Sequence, residues 1–206
     1  DKYKPRTTKD IPQNLDIIKR LIKNKEPILI YGPTGSCKTS SVYAIAKELD
    51  YEIVEVNASD FRTKEKINKT IGEASQQQSL FQKDKIILIE EADCLAGRDD
   101  YGGAQAILEV LKNTKFAVII TANDLYNDKI KDIKKATTQI EFKAVNNKSI
   151  VDILRNICTK EKINYSEEIL NKIAVNSKGD LRAAINDLQS NIANKEILYQ
   201  DEEREY

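Results

Sequence analysis

Four short apolar runs punctuate the first two-thirds of the chain: Ile28-Leu29-Ile30-Tyr31, Ile53-Val54-Glu55-Val56, Ile86-Ile87-Leu88-Ile89 and Ala117-Val118-Ile119-Ile120. Three of them are continuous rather than alternating, the pattern of strands covered on both faces in a parallel sheet. A shorter run, Gln139-Ile140-Glu141-Phe142, alternates and reads as an edge strand. Helical stripes lie between them. Lys38 to Leu49 places Val42, Ile45, Ala46 and Leu49 on one face, and Gly103 to Leu111 does the same with Ala104, Ile107, Leu108 and Leu111. Strands alternating with helices predict right-handed β-α-β units and a three-layer α/β domain with a parallel sheet.

After Phe142 the period changes and stays helical. Ile150, Ile153, Leu154 and Ile157 form one stripe, Ile169, Leu170, Ile173 and Ala174 a second, and Leu181, Ala184, Ile185 and Leu188 a third. The separators, Asn164-Tyr165-Ser166 and Asn176-Ser177-Lys178-Gly179-Asp180, hold capping and turn residues. The expected organisation is an α/β domain over 1–142, a small all-helical domain over 143–200, and an acidic tail or linker start over 201–206.

Composition removes several chemistries. Of 206 residues, 33 are Lys or Arg and 33 are Asp or Glu, so the net charge is zero and a uniformly basic nucleic-acid binder is excluded, though not a basic patch. Histidine is absent, which excludes a His-based triad, a His general base and any His-containing metal site. The three cysteines, Cys37, Cys94 and Cys158, form no CxxC pair, so neither a zinc site nor a disulfide framework is expected. No apolar run approaches the roughly 20 residues that cross a bilayer. Methionine is absent and the chain opens at Asp1, which reads as a cropped or processed chain.

The strongest local signal is Gly32-Pro33-Thr34-Gly35-Ser36-Cys37-Lys38-Thr39, followed by Ser40. It leaves an expected strand and opens an expected helix, the context of a phosphate loop G-x-x-x-x-G-K-[ST]. Backbone N–H groups of such a loop converge on phosphate oxygens. Lys38 would neutralise the β- and γ-phosphates, and the Thr39 hydroxyl would ligate Mg²⁺. Cys37 stands where the pattern has its second glycine, so a Cβ there is expected either to clash with the phosphates or to force a changed dihedral. The plainer alternative is a glycine-containing turn before a helix.

Two further strand ends carry polar groups. Ile86–Ile89 runs into Glu90-Glu91-Ala92-Asp93, an order that suits a Mg²⁺-associated carboxylate (Glu90) followed by a general base for water (Glu91). Glu90 stands where aspartate is usual, and its extra methylene shifts the carboxylate outward by about 1.5 Å. Thr121-Ala122-Asn123 ends the fourth run, and in a parallel sheet the carboxyl ends face the ligand, so Asn123 is a candidate to place a water or sense the γ-phosphate. Solvated strand ends and turns also take acids and asparagine. Gly179-Asp180-Leu181-Arg182 opens the third helix of the small domain, with Asp180 as a natural cap. Arg182 in a first helical turn opposes the helix dipole and serves either an anion or a neighbouring acid.

In this order the motifs resemble those of the AAA+ ATPases, more narrowly the clamp loaders of the replication factor C type, over nearly the whole chain. Lys2-Tyr3-Lys4-Pro5 with Lys9-Asp10-Ile11 is similar to the family's opening segment, and the resemblance implies that Tyr3, Pro5 and Ile11 contact the adenine. Glu55-Val56-Asn57-Ala58-Ser59-Asp60 resembles its signature after the second strand, with Arg62 following. Glu90-Glu91-Ala92-Asp93 occupies its acidic motif, Thr121-Ala122-Asn123 its first sensor, and Gly179-Asp180-Leu181-Arg182 its second, with Arg182 as the sensor arginine. Asp99-Asp100-Tyr101-Gly102-Gly103-Ala104 resembles the archaeal large-subunit branch.

The resemblance implies ATP and Mg²⁺ as cofactors. As partners it implies small clamp-loader subunits in a hetero-oligomeric, pentameric ring, a sliding clamp and primer–template DNA, with no membrane. It implies an intracellular location: cytoplasm or nucleoid in an archaeon, nucleus in a eukaryote. The interval Lys129-Ile130-Lys131-Asp132-Ile133-Lys134-Lys135 holds lysines where small subunits carry a finger arginine, so this chain is expected to receive a finger and not to donate one. A collar domain is expected beyond residue 206. Arg62, Lys64 and Arg98 are candidate DNA contacts, whose contribution would be salt-dependent. Cys37 and Glu90 together imply weakened hydrolysis. The alternatives are another AAA+ DNA motor or checkpoint clamp-loader subunit, and a non-hydrolysing structural subunit.

Overall fold

The computed structural model describes residues 3, 5, 7–58, 83–95 and 101–202, with side chains left out of the description at 101–102 and 193–202. Arg62, Lys64 and Arg98 lie outside the described residues, as do Lys2, Lys4, Ser59, Asp60, Asp99 and Asp100. The described residues group into two compact units. The larger draws on Pro5–Pro33 and Cys37–Lys143, the smaller on Asp1–Lys4, Thr34–Ser36 and Ala144–Tyr206.

In the larger unit, α1 (Asp16–Lys23), β1 (Ile28–Tyr31), α2 (Lys38–Leu49), β2 (Glu52–Asn57), β3 (Lys85–Glu90), α3 (Tyr101–Asn113), β4 (Ala117–Ala122), α4 (Lys131–Lys135) and β5 (Thr138–Glu141) follow one another. The five strands form one parallel sheet in the order β2-β3-β4-β1-β5. Ile28 of β1 sits opposite Ile119 of β4 and Thr138 of β5, and Ile89 of β3 opposite Ile120 of β4. The α/β expectation therefore holds, and the alternating run is indeed at an edge.

Burial follows sheet position. Ile28, Leu29, Ile30 and Ile86 through Ile89 are fully buried, and every residue of β4 is buried. The outer strands β2 and β5 are half-buried to exposed. Each fully buried Ile or Leu contributes about 1.5–3 kcal/mol of transfer free energy, offset by the entropy of ordering it. Among the described residues, β1, β3 and β4 thus form the rigid centre, and their carboxyl ends carry Tyr31, Glu90 and Ala122. Helix α1, not anticipated from the sequence, buries Ile18, Leu21 and Ile22 at i, i+3 and i+4.

The smaller unit contains α5 (Asn147–Glu161), α6 (Glu167–Asn176) and α7 (Leu181–Glu202). Its core takes Ile150, Val151, Leu154, Ile157 and Cys158 from α5, Leu170, Ile173 and Ala174 from α6, and Leu181, Ala184 and Leu188 from α7. Ile153, Ile169 and Ile185 sit at the margin, while Val151 and Cys158 join the core. Each helix is capped by a side chain on a backbone N–H. Ser149 N–H donates to Asn146 Oδ1 at 2.8 Å, Ile169 N–H to Ser166 Oγ at 3.3 Å, and Ala183 N–H to Asp180 Oδ1 at 2.9 Å. Arg155 links α5 to α6 by donating to Asp152 at 2.6 Å and to both oxygens of Glu167 at 2.9 and 3.1 Å.

Candidate nucleotide site

The chain leaves β1 through Gly32, whose N–H donates to the Ala122 carbonyl at 3.3 Å. Gly32 has φ +146°, and a Cβ there would run into the Phe142 carbonyl oxygen, so only glycine passes beside the end of β5. At the other end of the loop, Cys37 precedes α2 with φ 73° and ψ 21°, the left-handed region. Of the two expected consequences of a Cβ there, the changed dihedral is not what the structure shows. Cys37 takes the conformation glycine favours, at a cost of order 1–3 kcal/mol. Its thiol is buried, and its carbonyl accepts the Ser41 N–H at 2.9 Å, closing the first turn of α2.

Lys38 points back over the loop. Its ammonium donates to the Gly32 carbonyl at 2.7 Å, the Pro33 carbonyl at 2.9 Å and the Asn123 Oδ1 at 2.9 Å. These three acceptors are neutral, and a phosphate would compete with them for the cation. Next along α2, the Thr39 hydroxyl donates to the Glu90 carboxylate. Burial holds the Glu90 carboxyl above its ordinary range; the Thr39 hydroxyl opposes that shift, and the nearby Glu55 and Glu91 add to it. Glu55 also accepts from the Tyr43 hydroxyl, and burial followed by that bond pushes Tyr43 up to about 12.

The acidic motif forms a tight corner after β3. Glu91 is left-handed at φ 55° and exposed, and its N–H donates to Thr121 Oγ1 at 3.3 Å. A 3-10 turn over Ala92–Cys94 follows. Asp93 Oδ2 accepts the Asn123 N–H at 3.0 Å and the Asp124 N–H at 3.2 Å. The corner after β3 is thereby sewn to the end of β4.

Four of the anticipated residues thus meet within the larger unit: Lys38 with Asn123, and Thr39 with Glu90. Glu91 is on the same strand end as Glu90, one residue beyond β3. Ile11 is buried, and Pro5 and Tyr3 are half-buried. Thr34, Gly35 and Ser36 cluster with the smaller unit, where Leu181 N–H donates to the Gly35 carbonyl at 3.2 Å. Ser40 is half-buried in the first turn of α2. Arg182 is exposed in the first turn of α7, and no described residue forms an ion pair with it. Sequence reasoning gave no role to Asp93, Thr121 or Glu55, whose partners lie on other elements and carry no periodic signal.

The residues present fit a magnesium nucleotide. The first N–H groups of an α-helix have no intrahelical acceptor, so the start of α2 offers donors of the kind that phosphate oxygens accept. Thr39 and Glu90 bring a hydroxyl and a carboxylate to one point, the sparse oxygen donor set Mg²⁺ uses when phosphates and water complete its shell. Among the described residues no group of three or more His, Cys, Asp or Glu side chains is placed to hold a metal ion.

Fold and site together define a nucleotide-binding ATPase-type domain with a helical lid. Residues 28–144 match the family described as AAA, ATPase family associated with various cellular activities, and the chain belongs to that family. Residues 152–196 match the RCF1/5-like AAA+ ATPase lid domain. Over 199 residues the chain is 42% identical to the Replication factor C large subunit of Nanoarchaeum equitans, covering 92% of this chain and 46% of that protein. It is 39% identical over 209 residues to the Replication factor C large subunit of Thermofilum pendens, covering 96% and 51%. A third, from Methanococcus vannielii, is 35% identical over 210 residues, covering 98% and 43%. The chain spans about half the length of the curated relatives it matches.

Proposed function

We propose that this chain is the ATP-binding part of the large subunit of a sliding-clamp loader, acting as an ATPase within a complex. The observation that carries the reading is the pairing of Lys38 with Asn123 beside the pairing of Thr39 with Glu90, on adjacent residues of one helix. Lys38 exchanges its loop carbonyls for β- and γ-phosphate oxygens. Thr39 and Glu90 hold the hydrated Mg²⁺, which when bound neutralises phosphate charge. Asn123 senses the γ-phosphate, and Glu91 accepts a proton from the attacking water at its carboxylate. Arg182 clamps the same phosphates from the lid, and Tyr3, Pro5 and Ile11 enclose the base. The N–H groups of Thr34 through Ser40 line the phosphates, with Gly32 and Pro33 shaping the loop's entry.

Domain limits at 142/143 and 200/201 belong to the same reading: a nucleotide domain, a lid, and a link to a collar. The partners are small loader subunits in a pentameric ring, a ring-shaped clamp and primer–template DNA, inside the cell. Because the interval 129–135 holds lysines and no arginine, a neighbouring small subunit supplies the finger. Among the described residues no helix is long and apolar enough to cross a membrane.

Nucleotide binding here works chiefly as a conformational ligand that orders the ring, so slow hydrolysis is compatible with loading. That favours a weak ATPase, since Glu90 reaches Thr39 directly where a shorter carboxylate leaves room for the hydrated ion. Reconstitution of the full-length protein with small subunits, clamp and primed DNA tests the proposal. ATP-dependent clamp loading that fails with Lys38→Ala supports it. A hexamer translocating on duplex DNA, or assembly without nucleotide binding, contradicts it.

A further inference from the structure

We propose that Asp93 is a positioning residue of the nucleotide site, holding the Asn123 backbone so that the Asn123 amide oxygen stays on Lys38; this rests on reading the site as a nucleotide site. Among the described residues the last residue of the acidic motif makes no hydrogen bond to the phosphate loop. Its Oδ2 instead accepts two consecutive backbone N–H groups, Asn123 at 3.0 Å and Asp124 at 3.2 Å. Two charge-assisted bonds to adjacent amides fix the orientation of the intervening peptide, and with it the direction in which Asn123 leaves the chain. Asn123 Oδ1 then receives the Lys38 ammonium at 2.9 Å.

The corner that carries Asp93 is itself tied down. The Asp93 carbonyl accepts Asn127 Nδ2 at 3.0 Å, the Leu95 carbonyl accepts the Lys129 ammonium, and Ala92 and Leu95 are buried in the core beneath the sheet. Glu91 N–H reaches Thr121 Oγ1 from the same corner. The same corner thus carries both Asp93 and, two positions earlier, the proposed base Glu91. The other carboxylate oxygen, Asp93 Oδ1, is buried and has no hydrogen-bond partner among the described residues. An asparagine could accept the same two N–H bonds while placing its amide nitrogen at the bare position, which makes it the diagnostic replacement.

The test uses the full-length protein with Asp93→Ala, Asp93→Asn, Asn123→Ala and the double variant Asp93→Ala/Asn123→Ala. Titration with ATP and with ADP gives the preference for the triphosphate, hydrogen exchange reads the amides of Asn123 and Asp124, and thermal unfolding reports folding. For Asp93→Ala we expect those two amides to exchange at least tenfold faster and the ATP preference to fall to that of Asn123→Ala, with ADP affinity within threefold of wild type. Asp93→Asn should stay within threefold of wild type in all three. The double variant should lose no more than Asn123→Ala alone, since both act through one contact. Equal loss of ADP and ATP affinity in Asp93→Ala, additive losses in the double variant, or an Asp93→Asn protein tenfold impaired would each overturn the assignment. If Asp93→Ala does not fold, Asp93→Asn decides by the same limits. A wild-type protein that binds neither nucleotide defeats the nucleotide reading itself and this inference with it. One that binds both, with Asp93→Ala unaltered, defeats only the role of Asp93.

Discussion

Lys38 donates to Asn123 Oδ1 at 2.9 Å across 85 positions of sequence, joining the start of α2 to the residue just past β4. The contact is available because β1 and β4 are neighbours in the sheet, with Tyr31 opposite Ala122. It gives the first prediction. Asn123→Ala removes an acceptor from an ammonium that keeps two loop carbonyls, so the loop should stay intact and ADP affinity should change less than about threefold. ATP affinity should fall by about tenfold, the low end of a charge-assisted hydrogen bond. Parallel titrations with the two nucleotides check this.

Cys37 yields the second. Its left-handed backbone makes glycine the easier residue, by about 1 kcal/mol or more. Cys37→Gly also exposes the gap left by a buried thiol and adds unfolded-state freedom, which costs about 0.5–1 kcal/mol for the latter alone. The effects oppose, so urea unfolding should place the variant within about 1 kcal/mol of wild type, with nucleotide affinity within threefold.

Glu90 carries the pH dependence. Its folded pKa lies above the ordinary 4.5, so protonation is favoured in the folded state. That contribution to stability is complete below the ordinary carboxylate value and is lost as pH rises through the raised folded value. Glu90→Gln should therefore unfold at a higher temperature than wild type near pH 8 and lose that advantage by about pH 4. Magnesium dependence of ATP binding should weaken on acidification in wild type and be largely absent in the variant. Glu90→Asp, by withdrawing the carboxylate from Thr39, should raise ATP turnover of the assembled complex. In the Cys37→Gly/Glu90→Asp double variant, the glutamate change should supply most of the gain.

Gly32→Ala places a methyl against the Phe142 carbonyl at a backbone angle that disfavours side chains. The expected cost is about 1–3 kcal/mol, with strand β5 displaced from β1. Faster hydrogen exchange over Thr138–Glu141, measured beside unchanged exchange in β3, would register it.

The centre of the fold was legible because its cause is local. Strands buried on both faces must be apolar at every position, and β1, β3 and β4 are so through Ile28–Ile30, Ile86–Ile89 and Ala117–Ile120. Helix α1 escaped notice because its whole stripe is Ile18, Leu21 and Ile22, too short to rise above background, and α4 is only five residues long. The phosphate loop was visible as spacing, whereas the conformation of Cys37 was not, since glycine, the residue that signals a left-handed backbone, is replaced there. Asp93 was placed by its motif but given no task. Its partners, 30 and 31 residues away, are backbone amides that any sequence would supply.

The central claim is that Gly32 to Thr39 is a working nucleotide site despite Cys37. Titrating the full-length protein with ATP and Mg²⁺, beside Lys38→Ala, tests it most directly. The account predicts saturable one-site binding by the wild type, weakened by magnesium removal and reduced at least a hundredfold in Lys38→Ala while that variant unfolds at the wild-type temperature. Absence of binding, or binding that Lys38→Ala leaves unchanged, would contradict it.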